Sequence, residues 1–166
     1  MSTLFTADSH FGHRNILKYD KTRNHFTSLE EHDEHLIEQW NQTVGPGDTV
    51  YHLGDFTFSS DWKKYYDRLK GNIHLILGNH DKKFPGGFAS IQDVLYLKNE
   101  NLFLSHYPHY SWNKSYHGVI HLFGHVHETF KFVPGLDPMT NKNLNVGVTW
   151  HKFRPISLDE VRGIFK

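Results

Sequence analysis

The sequence predicts a mixed α/β fold in a single domain spanning residues 1–166, and three observations lead there. Strand-like and helix-like segments alternate as far as residue 90, short strand-like runs dominate the remainder, and 166 residues suit one compact unit. A hydrophobic share of 37% and an aromatic share of 15% supply the large side chains of one core, which excludes wholesale disorder. No internal repeat or long linker divides the chain.

Thr3 to Ala7 is a β-prone run that ends at Asp8 and opens into a loop containing Gly12. Ser28-Leu29-Glu30-Glu31 reads as a capping box. Leu29, Leu36, Ile37, Trp40 and Val44 then recur at helical spacing until Gly45-Pro46-Gly47 stops the segment. The opposite face of that helix, carrying His32 and His35 among Glu30, Glu31, Asp33 and Glu34, is expected to be solvated. Thr49 to Leu53 reads as a strand, Trp62, Tyr65, Tyr66 and Leu69 as a second helix closed by Gly71, and Ile73 to Leu77 as a further strand. This alternation is that of parallel strands joined by helical crossovers. Val94 to Leu97, Leu102 to Ser105, Val119 to Gly124 and Leu144 to Val148 complete the strands, with Asn99-Glu100-Asn101 as a turn. Ser157-Leu158-Asp159-Glu160 is a second capping box and opens a final helix. His52, His74 and His121 fall inside strands, where a hydrogen-bonded buried imidazole is the default.

Composition narrows the chemistry. Lys+Arg 18 balances Asp+Glu 18, so the basic excess of a general nucleic-acid surface is missing and any anion must be gripped locally. Cysteine is absent, which removes disulfides, thiolate nucleophiles and sulfur-ligated zinc. Histidine, at 15 residues, is abundant and serves both proton transfer and metal ligation. The start lacks a basic segment followed by an apolar stretch, and no run approaches the ~20 apolar residues that span a bilayer. The expected compartment is the cytoplasm, with no membrane partner.

In open α/β sheets ligands bind beyond the carboxyl ends of strands. Here those ends carry Asp8-Ser9-His10, Gly54-Asp55, Gly78-Asn79-His80-Asp81, Ser105-His106 and Gly124-His125-Val126-His127. Residues two apart in extended chain share a side, so Asp8 with His10 and His125 with His127 form convergent pairs ~6.6 Å apart along the backbone. With Asp55, Asn79 and His106 they make seven oxygen or nitrogen ligands, and a bridging Asp55 raises the contacts to eight, four for each of two ions. Such a set suits two divalent ions per chain, manganese first, with iron, zinc or nickel as alternatives. Glycines before Asp55, Asn79 and His125 are expected to let backbone approach ions and substrate. A serine-hydrolase elbow, a dinucleotide turn and a Walker loop are all missing, and the order of the motifs excludes a metallo-β-lactamase pattern.

The ordered set Asp8-x-His10, Gly54-Asp55, Gly78-Asn79-His80-Asp81, His106 and Gly124-His125-x-His127 resembles the calcineurin-like metallophosphoesterase superfamily. The resemblance implies a four-layer αββα sandwich of two mixed β-sheets flanked by helices. It implies that Asp8, His10, Asp55 and His127 hold one ion and that Asp55, Asn79, His106 and His125 hold the other. A hydroxide between the ions would attack phosphorus in line, His80 would protonate the leaving oxygen as general acid, and Asp81 would orient His80.

Arginines that protein phosphatases of that superfamily place after the Gly-Asp and Gly-Asn-His motifs are replaced here by Phe56-Thr57 and Asp81-Lys82. A short stand-alone bacterial or phage-type phosphodiesterase acting on a nucleotide-like or other small phosphoester is the leading expectation. A phosphomonoesterase or nucleotidase on the same site, and a non-catalytic interaction module with this fold, are the alternatives. Substrate contacts are expected from His13, Arg14 and Asn15, where Arg14 could clamp a phosphate oxygen, and from His109 within the aromatic run Tyr107 to Trp112.

Overall fold

The computed structural model describes every residue except Lys82, Lys83 and Pro85. In β1 (Thr3–Thr6) the neighbours Leu4 and Phe5 point to opposite faces and both are buried, so this strand must be covered on two sides. It lies inside a five-stranded sheet of order β4-β3-β2-β1-β9. β2 (Thr49–His52), β3 (Asn72–Ile76) and β4 (Ser90–Gln92) run parallel with it, and β9 (Ile156–Ser157) is antiparallel. A second sheet has the order β5-β6-β7-β8. There β5 (Val94–Leu97) is antiparallel to β6 (Leu102–Ser105), while β6, β7 (Ile120–Phe123) and β8 (Asn143–Asn145) are mutually parallel.

The two sheets stack through one apolar layer. Phe5, Ala7, Leu53 and Ile76 meet Leu102, Leu104, Leu122 and Leu144 there. On its other face the larger sheet is covered by α2 (Leu29–Thr43), whose Trp40, together with the capping Val44, packs on Leu4, Val50 and Ile73. Leu36 and Ile37 join Tyr65 of α3 (Lys63–Tyr66) over Leu75. α4 (Leu158–Ile164) closes the inter-sheet core with Val161 and the following Phe165. The outer face of the smaller sheet is covered by the loop between β6 and β7. Trp112 sits 5.1 Å from the ring of His121, and His109 packs edge-on against both Phe103 and His121 at 5.4 Å. Two mixed sheets with helices are therefore as expected, and over the smaller sheet the outermost layer is loop.

Local signals held where they were self-contained. The Ser157–Glu160 capping box is complete, whereas Glu31 reaches back to Thr27 and leaves Ser28 as a one-way cap on the Glu31 N–H. The second predicted helix shrinks to Lys63–Tyr66, and α1 (Ile16–Tyr19), β4 and β9 were not foreseen. The expected solvated face of α2 is corrected at its start. His32 and Asp33 are buried, because the segment from His10 to Phe26 folds across them. His32 donates from Nδ1 to Asp33 at 2.9 Å and accepts from Arg23 at Nε2 at 3.1 Å. Among the described residues no helix is long and apolar enough to cross a membrane.

Leu122 is fully buried between the sheets, so Leu122→Ala is expected to lower unfolding free energy by about 2–5 kcal/mol in urea titrations. Burial holds the imidazoles of His52 and His121 down to about 3. Unfolded histidine takes up its proton near pH ~6.5, so between these limits the unfolded chain binds more protons and stability falls as pH falls. The urea midpoint should drop between pH 6.5 and 4, and His121→Phe should make that slope shallower.

Candidate metal centre

Main-chain bonds tie the loop after β1 to that after β2, and the loop after β6 to that after β7, before any side chain is considered. Asp8 N–H donates to Gly54 O at 3.0 Å, His10 N–H to Asp55 O at 2.9 Å, and Gly124 N–H to His106 O at 2.9 Å. Five of the seven candidate ligands, Asp8, His10, Asp55, His125 and His127, have φ between 45° and 71°. Non-glycine residues in that region cost roughly 1–2 kcal/mol each, and such strain gathers where a site demands a particular side-chain direction. Gly124 is required by proximity: a Cβ there would lie 2.6 Å from the Cβ of Ala7 and 2.8 Å from Asp8 Oδ2. At Gly78 a Cβ would strike Asp55. The close approach that these glycines permit is therefore between one strand-end loop and the next.

Two groups of ligating atoms with no residue in common result, each lying within 4.8 Å of one another: Asp8, His10 and His127, and Asp55, His106 and His125; Asp20, His127 and Glu128 make a further group that shares His127 with the first. Asp55 Oδ2 stands 3.6 Å from His10 Nε2 and 3.4 Å from His106 Nε2, so one carboxylate oxygen faces a member of each group. Asn79 Oδ1 lies 3.1 Å from His106 Nε2 and 3.0 Å from His125 Nδ1, and His10 and His127 approach through their Nε2 atoms at 3.2 Å. A cation about 2.0–2.2 Å from each nitrogen and oxygen sets neighbouring ligand atoms about 3 Å apart, which is the spacing found. The tautomers agree. His106 donates from Nδ1 to Leu53 O at 2.7 Å, which in the neutral ring leaves the Nε2 lone pair aimed at the oxygens of Asn79 and Asp55. Acceptors facing acceptors in a buried site call for positive charge, which either a proton on His106 or a metal ion supplies. Burial opposes the imidazolium at His106, but the Asp55 bond and the charges of Asp8 and Asp55 outweigh it and push the ring up to about 9. Each of the two groups could hold a metal ion.

A further shell, not recognised in the sequence, holds the first. Asp20 is buried, accepts from His127 Nδ1 at 3.1 Å and pairs with the guanidinium of Arg23 at 2.9 Å. Burial alone would raise Asp20, but the bonds from His127, Arg23 and Thr22 hold its carboxyl well below the usual carboxylate range. Arg23, also fully buried, donates to the carbonyls of Asp8 at 2.6 Å and Ser9 at 3.1 Å. Trp150 Nε1 and Asn145 Nδ2 donate to His127 O at 2.7 and 3.1 Å. The ring of Phe58 stacks on His13 at 3.7 Å and lies 4.6 Å from His80. The Asp20-x-x-Arg23 spacing is the one local hint of these contacts, and nothing in the sequence marks that pair as buried.

The remaining predicted residues divide. His80 is exposed at the rim, its ring 5.9 Å from that of His10 and its N–H on Asp55 Oδ1 at 2.9 Å. Asp81 does not orient His80: its carboxylate accepts the backbone N–H groups of Gly78, Asp55 and Phe56 at 2.8–2.9 Å and ties the β2 and β3 loops together. His13 is half-buried against Phe58, and Arg14 and Asn15 are exposed just before α1. His109 is turned away from the centre onto the outer face of the smaller sheet, where its N–H is held by His121 Nε2 at 3.0 Å. The aromatic run is split accordingly, with Tyr107 alone packing on His125, at 4.7 Å.

No family profile matches the chain. An uncharacterized protein of Methanocaldococcus jannaschii is 34% identical over 92% of this chain and 85% of its own length. The gene 66 protein of Mycobacterium phage L5 is 31% identical over 76% of this chain and 77% of its own. Among solved structures, a protein of unknown function from Aquifex aeolicus shares the fold, with a TM-score of 0.71, 24% identity and 98% coverage of both chains. An archaeal phosphodiesterase superposes with a TM-score of 0.47 and 22% identity over 89% of this chain and 82% of that one, below the level at which a common fold is established.

Carboxylates that bond the far nitrogen of a ligating histidine raise its basicity and fix its tautomer. Asp20→Asn should therefore weaken metal binding by about 10–100-fold in competition with a chelating dye, with the far-ultraviolet circular dichroism unchanged.

Proposed function

The chain belongs to the same family as the Methanocaldococcus jannaschii protein and the mycobacteriophage gene 66 protein, and on that premise we propose that it is a metal-dependent phosphoesterase acting on phosphodiesters in preference to monoesters. The observation that carries this reading is the pair of adjacent ligand groups with Asp55 between them. The resemblance of the same motifs to calcineurin-like metallophosphoesterases supports it.

In this reading Asp8, His10, Asp55 and His127 would hold one divalent ion and Asp55, Asn79, His106 and His125 the other. Bound there, two such ions supply a low-pKa water and charge neutralisation at a phosphoryl group. The protein's own groups do the rest. Asp8 accepts the His125 N–H on both oxygens at 3.0 Å, Asp81 pins the loops that carry Asp55 and Asn79, and Asp20 holds the ring of His127. His80, exposed beside His10 and packed on Phe58, gives its proton to the departing oxygen. Among the described residues Arg23 is the one Lys or Arg bonded to a candidate ligand, and it reaches only the main chain of Asp8. The preference for the diester follows from the resemblance to short stand-alone phosphodiesterases.

With added Mn the protein should hydrolyse bis(p-nitrophenyl) phosphate faster than p-nitrophenyl phosphate, and chelator should abolish the activity. His80→Ala should lower kcat by about 10²–10⁴-fold while the metal content by elemental analysis stays the same. Full activity in that variant removes His80 from the chemistry, a preference for the monoester makes the protein a phosphomonoesterase, and inertness of metal-loaded protein across phosphoesters overturns the proposal.

A further inference from the structure

A cleft of about 310 Å³ opens beside the centre, between α1 and the loop after β7. His125 and His127, one from each ligand group, form part of its wall. The cleft therefore adjoins any phosphorus held at the centre. The volume is at the small end of ligand pockets, about 300–1,000 Å³, and admits a group the size of one nucleoside rather than a polymer. Ile16, Val126 and the largely exposed ring of Tyr19 offer apolar and aromatic surface to a flat ring.

Charge in the cleft is uneven. The Asp20 carboxylate at its base is matched by Arg23 and His127. Glu128 is half-buried, accepts the backbone N–H of Lys21 at 3.4 Å, sets its carboxylate within 4.8 Å of ligating atoms of Asp20 and His127, acts on Arg23 through charge alone, and among the described residues forms no ion pair with any Lys or Arg. Among the described residues no Lys or Arg side chain lines the cleft. A second anionic group there would face the clustered carboxylates of Asp20 and Glu128 against the single guanidinium of Arg23, whereas hydroxyl or amino groups would find an acceptor. We infer that this cleft binds the uncharged, nucleoside-like half of a phosphodiester and that Glu128 excludes substituents carrying a further negative charge. The inference rests on the phosphoesterase reading for its role in catalysis, and the binding it describes requires no metal.

Binding of uridine and of its 6-carboxylate, orotidine, to metal-free protein by ligand-observed NMR tests it. Uridine should bind and orotidine should be about tenfold weaker or worse, as like charges predict. Glu128→Gln should shrink that gap to about threefold or less, and Tyr19→Ala should weaken uridine by about fivefold or more through lost stacking. Equal binding of the two nucleosides, no uridine binding, or a gap unmoved by Glu128→Gln overturns the assignment. The two readings fail separately. Hydrolysis of bis(p-nitrophenyl) phosphate without uridine binding sinks the cleft and leaves the activity, while the expected nucleoside pattern in a protein that hydrolyses no phosphoester sinks the activity and leaves the binding site.

Discussion

A carboxylate wholly or partly removed from water must be matched by donors or by a cation, and four such groups meet at one place in this molecule. Asp8, Asp20, Asp55 and Asp81 gather where the strand ends of two sheets meet, and each is matched differently. Asp20 has Arg23 and His127, Asp81 has three backbone N–H groups, and Asp8 has the His125 N–H on both oxygens. Asp55 has the His80 N–H on one oxygen and on the other only imidazoles whose own acceptors are crowded together. The first two fully matched carboxylates are structural ties, and the shortfall around Asp55 marks the place for added positive charge.

Strain is distributed by the same requirement. Ordinary extended backbone turns alternate side chains to opposite faces, and it cannot aim groups from five separate strand ends at a common point. Left-handed turns at five candidate ligands redirect those side chains, and the main-chain bonds between loops together with the donors of Arg23, Trp150 and Asn145 hold the turns in place. Sheet stacking through Leu102, Leu104 and Leu122 supplies the rigidity against which such turns persist.

How much could be read beforehand followed the range of each interaction. The ligand motifs were legible because strands stop at polar residues within one local stretch, as at Leu53-Gly54-Asp55 and Leu77-Gly78-Asn79. The Ser157 box was legible because both of its partners lie within four residues. His32 and Asp33 were misread as solvated because helical periodicity ranks faces by composition, and it has no knowledge that Arg23 will arrive against a polar face and bury it. Asp81 was assigned to its chain neighbour His80, yet its partners include Asp55 and Phe56, some twenty-five residues away. His109 looked like part of the site through its closeness to His106, and the loop carries it to the opposite side of the sheet.

By itself the sequence determined the mixed α/β class, the absence of thiol chemistry and the inventory of candidate nitrogen and oxygen ligands. These depend on residue identity and on spacing over a few positions. Only the tertiary structure decided which ligands share a group, that Asp55 stands between the groups, that Asp20 and Arg23 brace them, and that a cleft with Glu128 adjoins them. Those facts rest on contacts between groups distant along the chain, whose distances are set by how two sheets pack and how loops of left-handed residues turn, and no local pattern encodes them.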